Sequence, residues 1–241
     1  MRTRRRTAEA TLRRGIRGAL KPEVSLVASC MSLLDRAAAY TAAAHPQTPW
    51  RKAQTAILSN LADLSWVFRW SIESGYRVPA MALGASMHEL GYLSAFIADQ
   101  SDLAARWLQW KGITSVPWRR KEIWTGAHRN ATGREPGDPS DFSYAMLAMA
   151  KHGNPNMMAR LPAPLTAEER IVESHPLFSA KTATRLQFII VASLRSAVLA
   201  LLVLYSRGHL PKVSKRDIEH LAALFLAVES SAKRGASRSA A

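Results

Sequence analysis

The sequence predicts an all-α protein, a single-domain bundle of about seven or eight helices, on three observations. Apolar residues recur at three- and four-residue steps, prolines stand where helices start and glycines where they stop, and no run alternates in the manner of a strand. A chain of 241 residues, 48% apolar and 21% charged, is long enough to bury a sizeable core.

Each element follows from its punctuation. Pro22 opens a helix to about Ala44, closed by His45-Pro46. Thr48 and Pro49 read as N-cap and first helical residue of a helix over 49–74, with Gly75 as its stop. Ile57, Leu61, Leu64, Phe68 and Ile72 form its buried stripe, and Trp66 and Trp70, four apart, are expected in the core. Pro79 starts a helix over 79–98, whose Gly84, Ala85, Gly91 and Ala95 let another backbone approach closely. Ser101 caps a short helix ending at Gly112 that carries Trp107 and Trp110, also expected in the core, and Pro117 starts another ending near Arg129.

Residues 130–140 (NATGREPGDPS) are a loop by composition. Asp138-Pro139 opens a helix ending at His152, before Gly153 and Pro155, and a second loop spans 154–165. Thr166 and Glu169 have capping-box spacing for a short helix to about Ser174. A very apolar helix over 180–207 stops at Gly208 and Pro211, and Ser214 with Asp217 begins a last helix ending near Ser231.

The net charge of +15 lies mostly at the ends. Residues 1–21 carry eight cations (Arg2, Arg4, Arg5, Arg6, Arg13, Arg14, Arg17 and Lys21) against Glu9, and residues 233–241 add Lys233, Arg234 and Arg238. The expected organisation is a basic flexible arm over 1–21, a helical domain over 22–232 and a basic flexible tail over 233–241. Basic arms bind nucleic acid through counterion release. Cys30 lies in an apolar run and no C-x-x-C occurs, so a cytoplasmic compartment and a buried, inert thiol are expected. Leu186 to Tyr205 is apolar enough to raise the question of a membrane. A central Arg195 costs about 2.5–3.5 kcal/mol there, and the amphipathic character of the other helices favours a core helix, so a membrane is not an expected partner.

Catalytic and cofactor signatures are scarce. The dinucleotide, phosphate-loop, G-x-S-x-G and H-E-x-x-H patterns do not occur, and His88-Glu89 is followed by Tyr92 where a zinc helix needs histidine. No metal and no cofactor is expected. Glu89 lies on an otherwise apolar helix and needs a donor or solvent. Tyr144 and His152, eight apart, share one side of their helix, so a Glu–His or Glu–Tyr bond between the two helices is expected. It reads either as a buried clamp or as a pocket. The stretch WRRKEIWTGAHRNATGR mixes Trp118 and Trp124 with Arg119, Arg120, Lys121 and Arg129. It reads either as a phosphate-holding face with stacking aromatics or as an amphipathic helix with its tryptophans in the core.

The helix ALGASMHELGYLSAFIAD, the following DLAARWLQW and the helix FSYAMLAMAKHGNP resemble a group of bacterial helical proteins similar to HEPN domains. Glu89, Trp107, Tyr144 and His152 fall on the shared positions, while Ala85 stands where the group tends to carry arginine. The resemblance covers about a third of the chain. It implies weak catalytic candidates in Glu89, Tyr144 and His152, and pairing into homo-oligomers. Active HEPN ribonucleases resemble one another in an arginine and a following histidine separated by four to six residues, a spacing met here by Arg170 and His175, although Pro176 marks a helix end there. Three functions stand open: a non-enzymatic module binding nucleic acid or a protein partner, a HEPN-type metal-independent endoribonuclease, and a small-molecule-binding or membrane-associated protein. The candidate nucleic-acid residues are Arg4, Arg5, Arg6, Arg13, Arg14, Arg119, Arg120, Lys121 and Arg129.

Overall fold

The computed structural model describes residues 2–112, 116–134, 142–151 and 180–240, and among these it contains helices and no strand. The helices are α1 (Arg2–Ala19), α2 (Lys21–Ala43), α3 (Pro49–Glu73), α4 (Arg77–Phe96), α5 (Ser101–Leu108), α6 (Arg120–Thr132), α7 (Phe142–Lys151), α8 (Ala180–Ser206) and α9 (Lys215–Ala240).

The expected punctuation acts through identifiable bonds. The Thr48 hydroxyl accepts the Arg51 N–H at 3.3 Å, with Pro49 as first residue of α3, and the Ser214 hydroxyl accepts the Asp217 N–H at 3.1 Å. Gly75, Gly133 and Gly208 end α3, α6 and α8 with φ of 77°, 71° and 73°, conformations costly for any residue with a Cβ. Several boundaries differ from expectation. Helix α4 begins at Arg77, so Pro79 sits within the first turn, where no N–H has a partner inside the helix. Helix α6 begins at Arg120 instead of Pro117, because the Glu122 carboxylate accepts the Arg119 N–H at 2.7 Å. It then runs through Thr132, into the stretch read as loop. Helix α5 stops at Leu108, short of Gly112, and the α9 backbone continues past Ser231 through the expected tail. The helix end at His152, the Asp138-Pro139 start and the Thr166–Glu169 helix lie outside the described residues.

The N-terminal arm is helical, and its second half is docked. Ile16 and Leu20 are buried and Leu12 packs against the core, three residues at four-residue spacing hidden among the arginines. Leu12 rests on Gly75, where a Cβ would lie 2.9 Å from its Cδ2. Arg17 donates twice to Glu73 at 2.9 and 2.5 Å, and Arg13 donates to Ser74 at 3.1 Å.

Helix α8 is the axis of the bundle and packs against α2, α4, α7 and α9. Its apolar stretch Leu186–Ser206 is long enough to cross a membrane, and 72% of the apolar window is buried inside the fold. Arg195 donates to Glu229 on α9 at 2.6 Å, which neutralises the charge inside the apolar run. Helices α4 and α8 approach backbone to backbone, as the small residues of α4 require. A Cβ on Gly91 would lie 2.5 Å from the Ser196 carbonyl carbon, and one on Gly84 would strike Ser193. Cys30 is fully buried, and burial pushes its thiol up to about 12.

The aromatic expectation for α3 is corrected. Trp66 and Trp70 are 63% and 46% exposed, because Ile57, Leu61, Phe68 and Ile72 already fill the side of α3 that faces the bundle. Trp110 is exposed as well, while Trp107 packs partly against the core.

Candidate functional site: two faces of one helix

Helix α6 turns successive side chains to three environments. Ile123 and Ala127 enter the core. Arg120 faces Tyr144 on α7 and His128 faces Tyr92 on α4, while the buried Trp124, midway between them in sequence, packs against His128. Lys121, Glu122, Thr125, Gly126 and Arg129 line an open groove.

Glu89 anchors the first of the two polar faces. Tyr144 on α7 donates its hydroxyl to Glu89 Oε1 at 2.6 Å, and Lys151, two turns on, donates to Oε2 at 2.7 Å. The Arg120 guanidinium lies over the Tyr144 ring, 3.3 Å from its centroid. Behind them the His88 ring stands 5.3 Å from Tyr144 and 4.7 Å from Tyr92, and the Tyr92 hydroxyl meets His128 Nε2 at 3.3 Å. Burial and the adjacent Glu89 carboxylate push the Tyr144 phenol up to about 12. The phenol is therefore neutral at physiological pH and acts as a donor, while both Glu89 oxygens are already engaged. The arrangement holds three helices in register; as it stands it offers no free carboxylate base.

Of the two bonds expected for Glu89, the structure thus forms the one to Tyr144. His152, Arg170 and His175 lie outside the described residues. Sequence reasoning did not connect His88, Tyr92, His128 and Lys151 with Glu89. The signals were the four-residue spacings His88–Tyr92 and Trp124–His128, which read as ordinary helix packing until a second helix faces them.

The groove on the other side has a volume of about 670 Å³ and is lined by Phe96, Arg106, Trp118, Arg119 and the α6 residues above. Four cations, Arg106, Arg119, Lys121 and Arg129, thus meet one carboxylate, Glu122. Trp118 stands among them with Arg106 over its ring at 5.6 Å and Phe96 edge-on at 5.2 Å. Gly126 makes room for Phe96, since a Cβ there would strike the Phe96 ring. Arg119, Arg120 and Lys121 occupy the start of α6, where the helix dipole disfavours cations by about 0.3–1 kcal/mol each. Among the described residues no carboxylate pairs with the side chains of Arg106, Arg119 or Lys121.

The basic candidates therefore divide. Arg119, Lys121 and Arg129 line the groove, whereas Arg120 turns to Tyr144. Arg4, Arg5 and Arg6 lie on α1, Arg13 is held by Ser74, and Arg14 is exposed. Among the described residues no three histidine, cysteine or acidic side chains converge as a metal site. Neither a family model, a curated protein nor a solved structure matches the chain.

Proposed function

We propose that the chain is a non-enzymatic interaction module that binds single-stranded nucleic acid in the groove of α6. The observation that carries this reading is the convergence of Arg106, Arg119, Lys121 and Arg129 around Trp118 in one groove. Cations placed against the positive end of a helix cost stability unless a polyanion compensates them, and phosphates are such a polyanion. An indole among them supplies a platform on which an unpaired base stacks, whatever its identity. The reading rests on charge and shape, and it gives the Glu89–Tyr144 clamp the task of holding α6 in place.

The test is fluorescence anisotropy of labelled single-stranded RNA with the full chain in the presence of chelator. Arg119→Glu with Lys121→Glu is expected to weaken binding by at least about tenfold while leaving helix content unchanged. Undiminished binding by that variant sinks the groove reading. Fragmentation of the RNA without metal supports the HEPN-type endoribonuclease instead, and an intact, unshifted RNA points to a protein partner.

A further inference from the structure

A second surface, on α3, carries its own chemistry. Trp66, Val67 and Trp70 are 63%, 47% and 46% exposed, an apolar face on the solvent side of a helix whose opposite side is core. The Tyr76 ring extends it, 5.5 Å from Trp70, and Asp63 marks its other end one turn before Trp66. Isolated exposed hydrophobics need no explanation, but two indoles and a valine within five residues form a patch.

The far end of the patch, around Glu73, is basic. Glu73, one turn beyond Trp70, is gripped by Arg69 at 2.9 Å and by Arg17 of α1 at 2.9 and 2.5 Å. Arg13 holds the next residue, Ser74, and Leu12 seats on Gly75. The arginine-rich helix α1 is thereby fixed to the end of α3 that bears the tryptophans. Arg14 and Arg17 remain exposed on it, and Arg2, Arg4, Arg5 and Arg6 lie further along the same helix.

We propose that this surface docks on an anionic lipid bilayer, with Trp66, Val67 and Trp70 entering the headgroup region beside the arginine-rich helix α1, whose charge complements the lipid phosphates and carboxylates. Tryptophan suits the interface because one end of its ring system is apolar and the other donates a hydrogen bond. Stable peripheral attachment needs two signals, an apolar insertion and a polybasic cluster, and α3 and α1 supply one each. A second copy of this chain is a poor occupant, since a net charge of +15 repels itself. Nucleic acid fits less well. The patch is the convex face of a helix, and Val67 between the indoles has no flat surface for a base. This proposal is independent of the α6 groove.

The experiment is co-sedimentation of the full chain with vesicles of phosphatidylcholine alone, or of phosphatidylcholine with about a quarter phosphatidylserine. The chain is expected to sediment with the anionic vesicles and not with the neutral ones. Trp66→Ala with Trp70→Ala, which leaves net charge unaltered, is expected to lower partitioning by at least about tenfold. Trp66→Phe with Trp70→Phe should restore most of it. Quenching of tryptophan fluorescence by bromine-labelled acyl chains in the unaltered chain gives a second readout that no folding defect affects. Failure of the chain to bind anionic vesicles overturns the proposal. So does equal binding by the alanine variant, which would reduce the effect to diffuse charge, and so does absence of quenching. An alanine variant that loses single-stranded RNA affinity but keeps vesicle binding overturns it in favour of nucleic acid.

Discussion

The Tyr144 hydroxyl donates to Glu89 Oε1 at 2.6 Å and joins α7 to α4 between residues 55 positions apart in the chain. The bond is made to a carboxylate and is part-buried, and Lys151 on the other carboxylate oxygen holds Glu89 in place. Position, donor and acceptor are all set by packing of two helices, and α6 leans on the pair through Arg120.

Removing that hydroxyl should therefore be felt across the three helices. Tyr144→Phe is expected to lower unfolding free energy by about 2 kcal/mol in a denaturant titration. It also predicts a pH dependence. The phenol is raised from 10 to about 12 in the folded state, so its contribution is complete below pH 10 and is lost as pH rises through about 12. The alkaline loss of stability should be smaller in Tyr144→Phe than in the unaltered chain. The buried Cys30 thiol, raised from 9.0 to about 12, adds a loss of the same sign to both proteins and cancels in the difference.

Glu73 governs the docking of α1. Burial pushes its carboxyl up, but hydrogen bonds from Arg17 and Arg69 outweigh burial and hold it below the ordinary value of 4.5. A depressed carboxyl contributes stability above the unfolded value and loses it as pH falls through the folded one. Stability should thus decline below about pH 4.5, and Glu73→Gln should flatten that decline while costing about 1–3 kcal/mol at neutral pH. Limited proteolysis is expected to cut that variant first within α1, and resistance equal to the unaltered chain would argue against the anchoring role.

Two glycines make opposite predictions from the same substitution. Gly91→Ala forces a Cβ to 2.5 Å from the Ser196 backbone, which no side-chain rotation can relieve, and should cost about 3 kcal/mol or more. Gly15→Ala on α1 meets nothing within 4 Å and should stabilise the protein by about 0.5–1 kcal/mol, through helix propensity alone. Thermal melts of the two variants check both signs at once.

Much of the fold was legible because its signals are local. Thr48-Pro49, Gly75 and Gly208 act within one turn of themselves, so their meaning does not depend on the rest of the chain. The small residues of α4 announced a close neighbour, although nothing in them named α8 as that neighbour. In the arm the cations outnumber Leu12, Ile16 and Leu20 and mask their four-residue spacing. Trp66 and Trp70 were misplaced for the converse reason. Their four-residue spacing matches a buried stripe, and only the neighbouring helices decide which of two stripes on α3 is covered.

By itself, then, the sequence determined the all-α class, most helix starts and stops, the buried thiol and the need of Glu89 for a donor. These follow from backbone sterics, local hydrogen bonding and the cost of an unpaired charge, which operate over a few residues. Tertiary structure alone decided that Glu89 meets Tyr144 and Lys151, that α6 divides its cations between a groove and an aromatic ring, and that α1 is clamped beside an exposed tryptophan face. Those relationships join residues tens of positions apart, and no local rule ranks one helix face above another until the helices have packed.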